Sequence, residues 1–176
     1  MTALTPFTPA PLEAAWDEAL GRALGRTVHP DALGTMVARQ AARYRGEPVA
    51  LSAADSLAAR LRFWFPRDLT KVARPVAELV RARALPPRPL RVLDLGAGLG
   101  ATSLGLVRAL AGRHPVASIT AVDVDPAALA LLQRVNTEAV GAGLLPGDVA
   151  LRTQCLDLAA PGAVASLPPH DLVLFG

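Results

Sequence analysis

The stretch "LRVLDLGAGLG", Leu90 to Gly100, constrains this chain more than any other. It sets a nearly uninterrupted apolar run, of the kind a strand buried on both faces shows, directly against glycines at alternate positions, Gly96, Gly98 and Gly100. The helical pattern of "ATSLGLVRALAGR" follows at once. Strand, glycine loop and helix in that order begin a parallel β-α-β unit, whose loop opens onto the crevice where such sheets take ligands. The alternation continues with "SITAVD" as strand, "PAALALLQRVNTEAVGAG" as helix, "DVALRTQC" as strand and "DLVLF" as a last strand. Residues 90–176 are therefore expected to form an α/β parallel sheet with crossover helices.

Residues 1–89 read as a helical region. "LEAAWDEALGRALGR" and "PDALGTMVARQAARYR" place apolar residues at helical spacing. Ser52 with Asp55 forms a capping-box pattern opening "AADSLAARLRFWF", with Leu57, Leu61, Trp64 and Phe65 on one face. Pro66 suits the first turn of a further helix bearing Leu69, Val72, Val76, Leu79 and Val80, which Pro75 should kink. "LPPRP" at residues 85–89 is a stiff linker. On the helix after Pro66, Arg67, Lys71, Arg74 and Arg81 make a basic stripe, read as a solvated face or as a contact to RNA phosphates. Charge supports an N-terminal placement of any acidic partner, since the net +3 divides into an excess of basic residues over 1–90 and of acidic ones beyond.

A single cysteine, Cys155, leaves no disulfide framework or multi-cysteine metal site, and it is expected to be a small buried hydrophobe. There is no apolar run of about 18 uncharged residues, so the expectation is a cytoplasmic protein with no membrane partner. His29, His114 and His170 are scattered and read as loop histidines, and Thr102 and Ser103 have no base at a recognisable offset. No catalytic residue and no metal site emerge.

The candidate site is thus a binding site around the glycine loop. Gly96-x-Gly98-x-x-Ala101 satisfies the relaxed dinucleotide fingerprint, so the glycines alone do not choose a ligand. Asp94, read at the mouth of the crevice, does discriminate. A pyrophosphate would bring two negative charges to it, whereas S-adenosyl-L-methionine carries a sulfonium and an ammonium against one carboxylate. Asp123, ending the second strand, can accept hydrogen bonds from both ribose hydroxyls. Asp125 before Pro126 is a helix cap. Asp157, after the third strand, is either a contact to the adenine amino group or a turn residue.

"VLDLGAGLG", "AVDVDPAAL", "CLDLA" and "HDLVLFG" resemble, in order, the first four motifs of class I S-adenosylmethionine-dependent methyltransferases. The resemblance implies a Rossmann-like domain over 90–176, with Asp94, Gly96, Ala97, Gly98 and Gly100 at the methionine end, Asp123 at the ribose and Asp157 at the adenine. In layout, "LSAADSLAARLRFWFPRDLTKVARPVAELV" with "PRPLRVLDLGAG" is similar to the methyltransferase-like proteins of mitochondrial small ribosomal subunit assembly and their bacterial homologues. That likeness implies ribosomal RNA or the small ribosomal subunit as partner. It also implies an iron–sulfur site on later cysteines, of which none follows Cys155.

The class I sheet has seven strands in the order 3-2-1-4-5-7-6, so this chain is expected to stop after the fourth, with the acceptor-side half missing and "DLVLF" as an open edge favouring self-association. The functional expectation is a methyltransferase or methyltransferase-like protein. The alternatives are a non-catalytic cofactor-binding assembly protein and an NAD-dependent oxidoreductase.

Overall fold

The structure is a computed structural model and describes residues 12–175. The Pro-rich opening at 1–11 and Gly176 lie outside the described residues. Four strands, β1 (Leu90–Leu95), β2 (Val116–Asp123), β3 (Ala150–Cys155) and β4 (Leu172–Phe175), form one all-parallel sheet in the order β3-β2-β1-β4. Helix α6 (Ala101–Leu110) connects β1 to β2, and α7 (Pro126–Gly141) connects β2 to β3. The class is α/β with a Rossmann-like sheet and an N-terminal helical region, as the alternation of patterns predicts.

The N-terminal region contributes α1 (Ala15–Leu24), α2 (Pro30–Tyr44), α3 (Ala53–Ala59), α4 (Phe65–Lys71) and α5 (Ala73–Arg81). In α1 the buried Trp16, Ala19, Leu20 and Ala23 follow the i, i+3, i+4, i+7 spacing of one helix face. That face closes on α7, where Arg134 donates from Nε to the Ala23 carbonyl at 3.0 Å and Arg22 pairs with Glu138 at 2.7 Å. Trp16 also meets Phe65, with ring centroids 6.1 Å apart. A single buried cluster runs from these residues through Leu61 and Leu69 to Leu104, Leu131 and Ile119 of the sheet layer. The linker at 85–89 marks a change of architecture, and the core continues across it.

The approach of α4 to α6 is tighter than ordinary side chains allow. A Cβ on Gly105 would lie 2.2 Å from the Leu69 carbonyl oxygen, so only glycine lets the two backbones meet here. The sheet's other face is thinner, with Leu93, Leu95 and Val122 covered by Leu156, Leu158 and Leu167 of the segment before β4. At the far end of the sheet Asp171 locks the linker down. It accepts from both Arg88 guanidinium nitrogens at 2.7 and 2.5 Å and from the Arg91 backbone N–H at 2.9 Å. These donors hold its carboxyl well below the usual range.

Three local expectations are corrected. The helix after Pro66 is not one kinked rod. It ends at Lys71 and α5 begins at Ala73, because Pro75 would have left the Lys71 carbonyl without a donor and clashed with it. The chain between α3 and Pro66 is equally unexpected. Arg60–Trp64 is a π-helical segment in which the Phe65 N–H donates to the Arg60 carbonyl, an i→i−5 bond. Cys155 is exposed, since β3 is an edge strand, and its thiol lies 3.6 Å from the Val124 carbonyl oxygen.

The histidines also diverge from one another. His29 is exposed and accepts from the Asp31 N–H at the start of α2. His114 and His170 are half-buried, His170 at 3.1 Å from the Thr120 hydroxyl.

Candidate cofactor site

β1 delivers its loop to the carboxyl end of the sheet, where Gly96, Gly98 and Gly100 take φ of +72°, +52° and +73°. Such angles are rare for side-chain-bearing residues, and at Gly100 a Cβ would also lie 2.2 Å from a Leu132 methyl. The loop is braced by its own backbone. The Gly96 and Ala97 N–H groups donate to the Val122 carbonyl at 2.9 and 3.0 Å, and the Gly100 N–H to the Ala97 carbonyl at 2.7 Å.

Asp123 is the hub between loop and second strand. Its Oδ2 accepts from the Gly98 N–H at 2.7 Å and its Oδ1 from the Asp125 N–H at 2.8 Å. A carboxylate offers about four acceptor positions, so two remain for a ligand's hydroxyls. Asp125 caps α7, its Oδ1 accepting from Ala127 and Ala128 at 3.0 and 3.1 Å.

Asp94 departs from its expected place. It lies beneath the loop rather than at the mouth, fully buried, and neither carboxylate oxygen has a hydrogen-bond partner among the described residues. Burial pushes its carboxyl up to about 6; the Ser103 hydroxyl and amide oppose that shift, and the nearby Asp123 charge adds to it. The Ser103 hydroxyl is turned instead to the Gly100 carbonyl at 3.2 Å. Apart from Ser103, no described residue offers this buried carboxyl a donor.

Above the loop lies an open cleft of about 740 Å³, within the usual range for small-molecule sites. One wall is the loop, Gly96 to Leu99 with Ala101 and Thr102; the other is N-terminal, with Tyr44, Arg60, Trp64 and Lys71; Val173 and Phe175 close one end. Asp94, Gly100 and Asp123 lie behind this lining, and Asp157 is also outside it. It is exposed and accepts the Ala159 N–H at 2.9 Å, a local turn bond. Among the described residues no group of three His, Cys, Asp or Glu is placed to hold a metal ion.

The β3-β2-β1-β4 order is that of the first four strands of the class I sheet, and it is joined by sequence likeness. The release factor glutamine methyltransferases of Escherichia coli (strain K12) and Shigella flexneri are each 39% identical to the chain over 99 residues, and that of Salmonella typhimurium 38%. The chain has the fold of the class I S-adenosylmethionine-dependent methyltransferases.

The match takes in 52% of this chain and 32% of each relative, so the chain spans about a third of the length of the curated relatives it matches. No family model matches the chain. Two solved structures share part of the layout. A proposed RNA methyltransferase from Pyrococcus horikoshii has a TM-score of 0.37 at 19% identity, over 60% of this chain and 43% of that one. A proposed sarcosine dimethylglycine methyltransferase from Galdieria sulphuraria has 0.35 at 23%, over 54% and 32%. At such scores the fold assignment rests on strand order and on the sequence match.

The methyltransferase fold here has a site residue that motif reading misses. Arg60, at the start of the π-helical segment, donates from Nη1 to Asp125 Oδ2 at 3.1 Å. Its Nη2 lies 2.9 Å from where a Gly98 Cβ would stand. Nothing in the sequence marks it, because it is 38 residues from the loop it touches and sits among many arginines. The basic stripe, in contrast, is half paired locally. Lys71 pairs with Asp68 and Arg81 with Glu78, while Arg67 lies over the Phe63 ring at 3.7 Å.

Proposed function

We propose that this chain binds S-adenosyl-L-methionine over the glycine loop and forms the donor half of a cytoplasmic methyltransferase. The observation that carries this reading is the buried Asp94 beneath a loop whose Gly96, Ala97, Gly98 and Gly100 amides are already bonded internally. A dinucleotide pyrophosphate would be disfavoured by the Asp94 and Asp123 carboxylates beside a loop whose glycine amides are already bonded. The NAD-dependent reading loses support on that ground. When bound, the cofactor supplies a methyl group made electrophilic by its sulfonium. Asp123 would hold the ribose with its two remaining acceptor positions. Asp94 would balance positive charge at the methionine end.

For the acceptor we propose ribosomal RNA or a small-subunit assembly particle, supported by the layout of the N-terminal region and by Arg67 and Arg74 exposed on it. A second reading, a glutamine side chain of a protein of the translation machinery, is favoured by the sequence match to the release factor enzymes.

Calorimetry tests the donor half: adenosylhomocysteine should bind in the micromolar range, and Asp123→Ala should weaken it about tenfold, as expected for charged hydrogen bonds. Tighter binding of NAD would sink the reading. Methyl transfer from labelled donor to ribosomal RNA, assembly particles and release factor then separates the acceptors. Binding without transfer to any of them would favour the non-catalytic assembly role.

A further inference from the structure

The amino-acid end of an adenosyl ligand carries a carboxylate as well as an ammonium, and that negative charge also needs a partner. In this loop most of the backbone donors are spent. The N–H groups of Gly96 and Ala97 go to Val122, that of Gly98 to Asp123 and that of Gly100 to Ala97. The carboxylates nearby, Asp94, Asp123 and Asp125, would repel it. Two cations line the cleft, and one of them, Lys71, is already paired with Asp68 on its own helix.

The other is Arg60. Its side chain is 23% exposed, and among the described residues its one hydrogen bond, the ion pair to Asp125, uses a single nitrogen of a planar group that offers five N–H donors. The guanidinium lies against Gly98, with Asp123 Oδ2 4.0 Å from the same Cβ position. The π-helical segment places it there, projecting from the N-terminal region across the lip of the loop.

We infer that Arg60 is a specificity-determining residue that clamps the amino-acid carboxylate of the adenosyl ligand. The N-terminal helical region thereby contributes to the cofactor site, not only to the acceptor side. A guanidinium can take a carboxylate bidentately, which a lysine cannot reproduce. This inference rests on the adenosyl reading above, and the two fail differently.

The test compares adenosylhomocysteine with methylthioadenosine, which has the same nucleoside and thioether but no amino-acid end, by calorimetry on the whole chain. In the wild type both should bind. Arg60→Ala should weaken adenosylhomocysteine roughly 10- to 100-fold while leaving methylthioadenosine within about twofold. Arg60→Lys should recover only part of the loss. Arg60→Gln provides the same comparison without the charge should the alanine variant not fold. Equal losses for both ligands, no loss, or a gain in affinity would overturn the clamp while leaving the adenosyl site standing. Failure of the wild type to bind either ligand would overturn both.

Discussion

Asp94 is the buried acid of β1, next to the strand's last residue. Its type and position at the end of β1 point to a charged ligand, but only the fold shows that it is sealed under the loop without a hydrogen bond. Burial lifts its carboxyl to about 6, above the ordinary carboxylate value. The folded state therefore holds this proton more tightly than the unfolded state, and the contribution to stability falls as pH rises from about 4 to about 6. The ionised form then carries an unfavourable term of up to about 3 kcal/mol at neutral pH, from about 1.4 kcal/mol per pKa unit. Asp94→Asn should flatten that pH dependence and raise the denaturation midpoint at pH 7.5, while weakening adenosylhomocysteine binding. Denaturant titrations of both proteins between pH 4.5 and 7.5 check this. Parallel curves for the two would show that Asp94 does not carry the slope.

At the scale of elements, the sheet half is the legible part of the chain. β1 runs over the six residues that its apolar pattern marks, and α7 starts where Asp125 and Pro126 place it. The helical half is less legible, because hydrophobic spacing does not distinguish an α turn from a π turn. Nor does it show that the break before Pro75 falls at Val72. Gly105 illustrates the same limit. Within a helix, glycine to alanine should stabilise by up to about 1 kcal/mol through propensity. Here the new Cβ would meet the Leu69 carbonyl at 2.2 Å, and overpacking typically costs about 1–3 kcal/mol. The contact should win. Gly105→Ala is expected to lower stability, and Gly105→Val to lower it further, in thermal or urea unfolding. A stabilised alanine variant would mean that α4 and α6 can separate at little cost.

At the scale of the whole molecule, β4 is an edge of the sheet, with Val173 45% and Phe175 77% exposed. Leu172 and Leu174, alternating with them, pack on the main core. An apolar edge with unpaired backbone groups favours pairing with another strand. The 176-residue chain should therefore self-associate with rising concentration in sedimentation velocity, and Val173→Lys should shift it toward monomer. A wild-type chain that stays monomeric at high micromolar concentration would refute this. Asp171 acts in the opposite sense, tying β4 to Arg88 and Arg91, so the strand is anchored at its start and open along its side. Because that carboxyl is held below its ordinary value, its contribution to stability is fully present above the usual carboxylate range and is lost as pH falls below that range toward the depressed folded value.

The alternation of apolar strands with amphipathic helices, the glycines after β1 and the acid closing β2 are local patterns, and local stereochemistry was enough to predict the parallel sheet. Three features depend on residues far apart in the chain. These are the sealing of Asp94 under the loop, the continuity of one core across the linker at 85–89, and the delivery of Arg60 to Gly98 and Asp125. Burial, and contacts between distant segments, are properties of packing in space. Neither hydrophobic period nor motif spacing encodes which arginine of a helical region will reach across to a glycine loop.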